Sequence, residues 1–261
     1  VMSSTQLATA QDSVRFDFSV YYPGNTSTGT ASGSSGSAIG KERKALTMVS
    51  DLHYGVGEKN ISLHIKQARQ TILYPYRGSR KFSLFRVKTI DGEEVREVVA
   101  STTIPQGVRK GVFILLDNPE KAGGFLLRPF WMEQQKVKKG TARILNLSGR
   151  DVALLFDKGK SGKGVIKKKG AYSVPGKFSG GSNLSYVTME AFVTRRADKP
   201  NGFKVLHRDL MISRKDTSVY LIVNKQKHFL DLITLSLAGA NNPREQARLE
   251  KFITPGELDN P

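Results

Sequence analysis

Short apolar segments separated by turn residues run through most of the chain, and this pattern limits the possible folds more than any other feature. In Ser13–Tyr22 the residues Val14, Phe16, Phe18 and Val20 alternate with polar residues, which is typical of a half-buried strand. Further candidate strands are Ala45–Val49, Ile61–Ile65, Lys81–Val87, Val95–Ser101, Gly111–Leu116, Gly124–Trp131, Ala142–Leu147, Asp151–Phe156, Leu184–Val193, Phe203–His207, Ser218–Val223 and Phe229–Leu235. Because no helix-length amphipathic segment separates these strands, the pattern favours sandwiches or barrels over βαβ units.

An internal repeat is suggested by strands of similar character that recur in the same order. Gly111–Asn118 resembles Ser218–Asn224, and Phe125–Leu127 resembles Phe229–Leu232. Earlier in the chain, Asn60–Ile65 resembles Asp151–Phe156. The spacing indicates two copies of a unit of about 100 residues, which is the size of one β-sandwich domain.

The sequence therefore predicts an all-β protein of two tandem β-sandwich domains of immunoglobulin-like size, with a short C-terminal helix. Pro243 suits a first helical position before Arg244–Phe252, and we expect this helix to pack on the second domain by Leu249 and Phe252. The predicted boundaries are 1–40 for an N-terminal strand and a Gly/Ser-rich linker, 41–140 for the first repeat, 141–240 for the second repeat and 241–261 for the helical tail.

The charge of the chain points to anionic partners. Lysine and arginine total 41 against 23 aspartate and glutamate residues, which gives a net charge of +18. Such an excess favours contact with nucleic acid, acidic glycans, lipopolysaccharide or an anionic membrane surface. The chain has no cysteine, and its longest clean apolar run, Val112–Leu116, is far shorter than the roughly 18 residues that a membrane-spanning helix needs.

A lysine-rich segment is the strongest candidate for a binding site. Between Lys158 and Lys177 there are seven lysines and no acidic residue, and mobile lysines among glycines suit sequence-independent attraction to polyanions. The candidate polyanion-binding residues are Lys158, Lys160, Lys163, Lys167, Lys168 and Lys169, together with Arg77, Arg80 and Lys81 in the first repeat. We expect the two clusters to occupy corresponding hairpins. The alternative is that both are edge hairpins on which lysine prevents aggregation.

Motifs of common chemistries are incomplete in this chain. His207–Leu210 begins like a kinase catalytic loop, but Arg214 stands where the metal-binding Asn is needed. Gly159-Lys160-Ser161 ends like a phosphate-binding loop, but Leu154 replaces the required first Gly, so a hairpin turn is the better interpretation. The four histidines are scattered, and we expect no metal, no cofactor and no enzymatic activity.

The cellular location is inferred from a short pattern near the start of the sequence. Ala8-Thr9-Ala10 before Gln11 resembles a signal peptidase site, so we expect an extracytoplasmic protein, periplasmic or secreted. The leading hypothesis is an exported, non-enzymatic binding or structural protein of the cell envelope, with a basic surface for an anionic glycan, envelope component or protein. The alternatives are a nucleic-acid-binding protein and a hydrolase whose carboxylates meet only in three dimensions.

Overall fold

The computed structural model describes residues 13–24, 48–49, 51–118, 120–121, 123–131, 138–193, 203–226, 229–236 and 238–253. Most of these residues form β-strands, and one α-helix lies near the C-terminus. They fall into two compact units. The described part of the first unit comprises residues within 13–131 and 238–253, and that of the second lies within 138–236.

The first unit contains eleven strands, three of which are only two residues long. The strands are β1 (Ser13–Tyr22), β2 (Met48–Val49), β3 (His53–Val56), β4 (Lys59–Ser62), β5 (Ile65–Lys66), β6 (Arg69–Gln70), β7 (Tyr74–Ser79), β8 (Lys81–Ile90), β9 (Glu93–Thr103), β10 (Lys110–Asp117) and β11 (Phe125–Trp131). One of the two large sheets has the order β7-β1-β10-β11, with β6 also paired to β1, and the other has the order β4-β3-β8-β9. Only β1 and β10 pair in parallel within these two sheets. Strands β2 and β5 form a separate two-stranded sheet.

The core of the first unit is a cluster of aromatic rings contributed by both sheets. Phe18 and Phe113 come from β1 and β10, and Tyr54 and Phe82 come from β3 and β8. The Phe18 ring centroid lies 4.9 Å from that of Phe82 and 5.1 Å from that of Tyr54, and Phe82 lies 4.8 Å from Phe113. Alternation along β1 directs Phe16 and Phe18 into this core, so the two sheets form a β-sandwich.

The second unit contains eight strands. They are β12 (Thr141–Asn146), β13 (Val152–Phe156), β14 (Gly162–Ile166), β15 (Ala171–Pro175), β16 (Leu184–Val193), β17 (Phe203–Ser213), β18 (Thr217–Gln226) and β19 (Phe229–Leu235). One sheet has the order β15-β12-β18-β19 and the other has the order β14-β13-β16-β17. Buried residues of both sheets, including Ile144, Leu154, Phe156 and Met189, form one core, so the second unit is also a sandwich.

The two units share one topology. Each of the eight strands of the second unit, β12 to β19, has an equivalent at the same place in a sheet of the first unit. In chain order, the equivalents are β1, β3, β4, β7, β8, β9, β10 and β11. In both units the first of these strands pairs in parallel with the seventh, β1 with β10 and β12 with β18. The resemblances of β10 to β18 and of β11 to β19 are confirmed as topological equivalents. The predicted match of Asn60–Ile65 with Asp151–Phe156 is wrong by one strand. Asn60–Ile65 includes most of β4, whereas Asp151–Phe156 contains β13, whose equivalent is β3. Strand β3 is only four residues long and contains Gly55, so its apolar pattern is weak.

The predicted boundaries differ from the observed units at both ends of the chain. Strand β1 pairs with β7 and β10, so it belongs to the first sandwich and is not a separate N-terminal segment. The helix α1 (Pro243–Phe252) forms where predicted, but Leu249 and Ile253 are buried in the core of the first unit. The expectation that the helix packs on the second domain is therefore wrong. The Gly/Ser-rich segment lies outside the described residues from position 25 to 40, as does Ala8-Thr9-Ala10.

A polar cluster fixes the start of the helix to the first sandwich. The Asn242 side chain caps the helix by accepting a hydrogen bond from the Glu245 backbone N–H. The Glu245 carboxylate accepts hydrogen bonds from the Tyr74 hydroxyl at 3.0 Å and from the Arg248 guanidinium at 2.8 Å, and His64 Nδ1 lies 3.3 Å from it. Arg248 also donates to the backbone carbonyl of Ser62 at 2.9 Å. One carboxylate thus joins the helix to two segments of the sandwich.

Replacement of Glu245 tests this attachment. Desolvation raises the pKa of Glu245, but the hydrogen bonds from Arg248 and Tyr74 outweigh it, and the net pKa is below the usual value of 4.5. The pKa of Glu245 is therefore lower in the folded protein than in the unfolded one. The ionised carboxylate stabilises the fold fully when the pH is above the unfolded-state pKa, and this contribution is lost as the pH falls through the folded-state pKa. Glu245→Gln is expected to lower the free energy of unfolding by about 1–3 kcal/mol at pH 7, and this difference is expected to shrink progressively as the pH falls below about 4.

The measurement is urea unfolding followed by circular dichroism between pH 3 and pH 7. The control is Glu250→Gln, which removes an exposed carboxylate from the same helix and is expected to change stability by less than about 0.5 kcal/mol. Equal stability of the two variants across this pH range would show that the Glu245 cluster does not hold the helix.

Candidate anion-binding surfaces

Six of the predicted lysines lie around a single edge strand of the second unit. Strand β14 is the outermost strand of its sheet, and all six side chains are exposed. We call this set the lysine edge: Lys158 and Lys160 in the turn before β14, Lys163 on β14, and Lys167, Lys168 and Lys169 in the turn after it. The predicted hairpin between β13 and β14 is confirmed by their antiparallel pairing. The structure therefore places the lysines along one sheet edge from end to end.

The turn before β14 is held by hydrogen bonds to its aspartate. Asp157 and Lys158 both adopt positive φ angles, 48° and 55°, which residues other than glycine rarely adopt. The Ser161 hydroxyl donates to the Asp157 carboxylate, which also accepts a 3.0 Å hydrogen bond from the backbone N–H of Thr188 on β16. These contacts fix the backbone that presents Lys158 and Lys160, while their side chains extend into solvent.

The turn after β14 is organised by a fully buried asparagine. The Asn146 side-chain amide donates to the backbone carbonyls of Ile166 and Lys167 at 3.1 and 3.2 Å, and its carbonyl oxygen accepts from the Ser148 hydroxyl at 2.7 Å. The Asn146 backbone carbonyl accepts from the Lys169 N–H at 3.1 Å. Because a buried polar group needs such partners, Asn146 fixes the backbone of the three consecutive lysines.

One carboxylate reduces the positive charge at this end of the lysine edge. The Lys167 ammonium lies 2.9 Å from an Asp151 oxygen, and the Lys168 backbone N–H donates to the other oxygen at 2.9 Å. The hydrogen bond from Lys167 is the main cause of a lowered pKa for Asp151. Since Asp151 lies outside the lysine-rich segment in sequence, its effect on the charge was missed by counting residues.

An apolar groove of about 450 Å³ lies beside Lys163 on the same sheet. Its side walls include Leu155 of β13, Val165 of β14 and Phe192 of β16. Val165 is 54% exposed, so it adds apolar surface to this groove. The sequence predicts strands for Leu155 and Phe192 but does not predict the groove. The groove depends on strand register, which places Ala153 opposite both Val165 and Phe192.

Tyr172, the one aromatic residue in the lysine-rich segment 158–177, is already engaged by the protein. The Tyr172 ring stacks on Phe156 at a centroid distance of 5.6 Å, and its hydroxyl donates to the backbone carbonyl of Lys163 at 3.3 Å. The ring also covers Gly164, where an added Cβ would lie 2.4 Å from it. Tyr172 therefore attaches β14 to the other sheet and is not an exposed platform for stacking bases.

The first-unit cluster does not correspond to the lysine edge. Arg77 lies on β7, Arg80 lies between β7 and β8, and Lys81 begins β8. These two strands belong to different sheets, and the equivalent connection in the second unit joins β15 to β16. The expectation of corresponding hairpins is therefore wrong. The structure instead places Arg80 in a cleft with Arg15 and Arg109, which sequence analysis missed because they lie far apart in the chain.

The remaining motifs lie in ordinary strand positions. His207 and Asp209 are on β17, where the His207 Nδ1 atom is 3.3 Å from Glu190 and the Asp209 carboxylate accepts a hydrogen bond from the Thr188 hydroxyl. Within the described ranges, no group of three or more His, Asp or Glu side chains has the arrangement of a metal site. In the same part of the chain, no helix is long and apolar enough to cross a membrane.

Comparison with known proteins adds no assignment to this geometry. No protein-family model matches the sequence, and no curated protein resembles it closely enough to count as a match. The fold and the surfaces define a two-domain β-sandwich protein with a lysine-lined sheet edge.

Replacement of Gly164 tests the attachment of β14. Gly164→Ala places a methyl group against the Tyr172 ring and is expected to lower the free energy of unfolding by about 1–3 kcal/mol, the usual cost of overpacking. The control is Gly181→Ala, because the backbone there has no positive φ and nothing lies within 4 Å of the added methyl. The measurement is urea unfolding followed by circular dichroism. Equal losses in the two variants would contradict the tight contact between Tyr172 and β14.

Proposed function

We propose that this chain is an exported, non-enzymatic binding protein whose second sandwich binds an anionic partner through the lysine edge. The main supporting observation is that six exposed lysines follow one edge strand and its two turns. The net charge of +18 adds a long-range attraction for the same class of partner. The proposal of export rests on Ala8-Thr9-Ala10, and fractionation of cells that express the full-length gene tests it.

The linear arrangement suits an extended polyanion. A five-residue strand such as β14 spans about 17 Å, and the flanking turns lengthen the charged strip. Lysine ammonium groups on flexible stems act as mobile point charges, so they follow the spacing of sulfates, carboxylates or phosphates without a fixed geometry. Binding of this kind releases counterions and weakens steeply as the salt concentration rises.

The groove favours a partner that has apolar groups as well as charge. Leu155, Val165 and Phe192 lie beside Lys163, so an acidic protein segment can place an apolar side chain there while its carboxylates contact the lysines. A nucleic acid gains less from this surface, because Tyr172 is held against Phe156. Among anionic partners we therefore propose a protein or glycan before a nucleic acid.

The same lysines have a structural explanation that must be separated from binding. Charged side chains on an edge strand prevent the edge from pairing with another chain. A glutamate blocks such pairing as a lysine does, but it repels a polyanion. Charge reversal therefore removes binding and keeps the protection of the edge.

We predict that the triple variant Lys163→Glu, Lys168→Glu and Lys169→Glu binds heparin about 10- to 100-fold more weakly at physiological salt and stays monodisperse. The control reverses three exposed lysines of the first unit, Lys66, Lys121 and Lys251, so that both variants have the same net charge. The measurement is affinity over a series of salt concentrations, with size-exclusion chromatography of each variant.

The control variant is expected to lose less than about threefold in affinity, because diffuse charge is screened at this salt concentration. Equal losses in the two variants would mean that net charge alone attracts heparin. Unchanged affinity in the lysine-edge variant would overturn the proposal. Parallel titrations with single-stranded DNA and with polyglutamate rank nucleic acid and acidic protein against the glycan.

A further inference from the structure

A cleft of about 390 Å³ in the first unit brings together three arginines from separate parts of the chain. Arg15 comes from β1, Arg80 from the connection between β7 and β8, and Arg109 from the loop between β9 and β10. The rest of the lining is formed by Ser13, Val14 and residues 106–108. Among the described residues that line this arginine cleft, none is acidic.

Arg80 is held in place by both its backbone and its side chain. Its carbonyl accepts hydrogen bonds from the N–H groups of Ile104 and Phe82 at 2.8 and 3.1 Å, and its Nε donates to the Ile104 carbonyl at 3.0 Å. Ile104 is fully buried, so the half-buried Arg80 is anchored to the core. A guanidinium has five N–H donors, and the Nε of Arg80 uses one of them, so four donors remain on its two terminal nitrogens.

The loop that supplies Arg109 is also anchored. The Arg109 carbonyl accepts a 2.9 Å hydrogen bond from the Asp17 N–H on β1, and Val108 is buried in the core of the sandwich. Gly107 has a φ of 76°, which allows the tight turn before them. The loop that supplies Arg109 is therefore fixed both to β1 and to the core, and the cleft is largely formed before any ligand arrives.

Three guanidinium groups around one cleft favour a ligand of a particular chemistry. Guanidinium groups form paired, parallel hydrogen bonds with carboxylate, sulfate and phosphate oxygens, and lysine does not provide this geometry. An oxyanion in the cleft also offsets the mutual repulsion of the three positive charges. Arg15 and Arg109 have contacts within the protein, but a guanidinium can donate to several partners at once.

We propose that the arginine cleft binds a single carboxylate, sulfate or phosphate group carried on a small organic body. The cleft is at the lower end of the volume range of small-molecule sites and is larger than an oxyanion alone, so the ligand is about the size of one sugar or amino acid residue. This site goes beyond the lysine edge, because it lies in the other sandwich and recognises one group by geometry.

The test is isothermal titration of the full chain with glucose 6-phosphate and with glucuronate, which separate a phosphate source from a carboxylate source. Glucose and inorganic phosphate are the ligand controls. We expect at least one of the two charged sugars to bind more tightly than both controls. Binding of glucose equal to that of the charged sugars, inorganic phosphate binding as tightly as either, or no binding of either charged sugar at millimolar concentration would overturn the proposal.

Variants of the arginines locate the binding. Arg15→Gln and Arg109→Gln change exposed side chains, and each is expected to weaken binding of the charged sugar about tenfold or more. Arg80→Lys keeps the charge and loses the paired geometry, so a similar loss is expected. Arg69→Gln is the matched control, an exposed arginine of the same unit that does not line the cleft, and it is expected to change affinity less than twofold.

The outcomes separate this site from the lysine edge. The triple lysine variant is expected to bind the charged sugar as the wild type does, whether or not it retains heparin. Equal losses in Arg109→Gln and Arg69→Gln, with unchanged unfolding midpoints by circular dichroism, would overturn the assignment of the site. An unaffected Arg80→Lys variant would show that charge alone attracts the ligand, and it would overturn the role of paired hydrogen bonds.

Discussion

In each unit, the first of the eight equivalent strands pairs in parallel with the seventh. The rest of each sandwich is built around this pairing. It joins β1 to β10 and β12 to β18, across most of the length of each unit. The entropy cost of closing such long loops has to be offset by packing, and the buried rings of Phe18, Phe82 and Phe113 contribute to this in the first unit. With both ends of each unit in one sheet, the second sheet is formed by the middle strands, and β4 and β14 each form one of its two edges.

An exposed edge explains why lysines accumulate at β14. The edge of an open sheet exposes backbone groups to pairing with other chains, and charged side chains reduce that risk. The Tyr172 hydroxyl already occupies the Lys163 carbonyl on this edge. Six lysines along one strand and its turns satisfy the structural requirement and, by the proposal made above, create a surface for polyanions. The two roles differ in one respect, because protection needs charge of either sign and binding needs positive charge.

Sequence patterns predicted the strands with long apolar or alternating runs and gave no bounds for several shorter strands that contain glycine or proline. Strand β1 and the helix were predicted within one residue, because Phe16 and Phe18 alternate clearly and Pro243 marks the helix start. Strand β14 begins Gly162-Lys163-Gly164 and β7 contains Pro75, so both resemble loops in the sequence. The six lysines of the lysine edge lie within twelve residues of one another, so their proximity is evident from the sequence. Their alignment along an edge, the groove and the arginine cleft depend on pairing between distant strands, which local patterns do not encode.

The most direct test of the account is a nuclear magnetic resonance titration of the isotopically labelled chain with a heparin oligosaccharide. The account predicts that, within the second unit, the largest backbone amide shifts occur at residues 157–170, on β14 and its two turns, and that they diminish as salt is added. The remaining strands of that unit are expected to change little. Shifts spread evenly over the second unit, or confined to the first unit, would contradict the claim that the lysine edge is the binding surface.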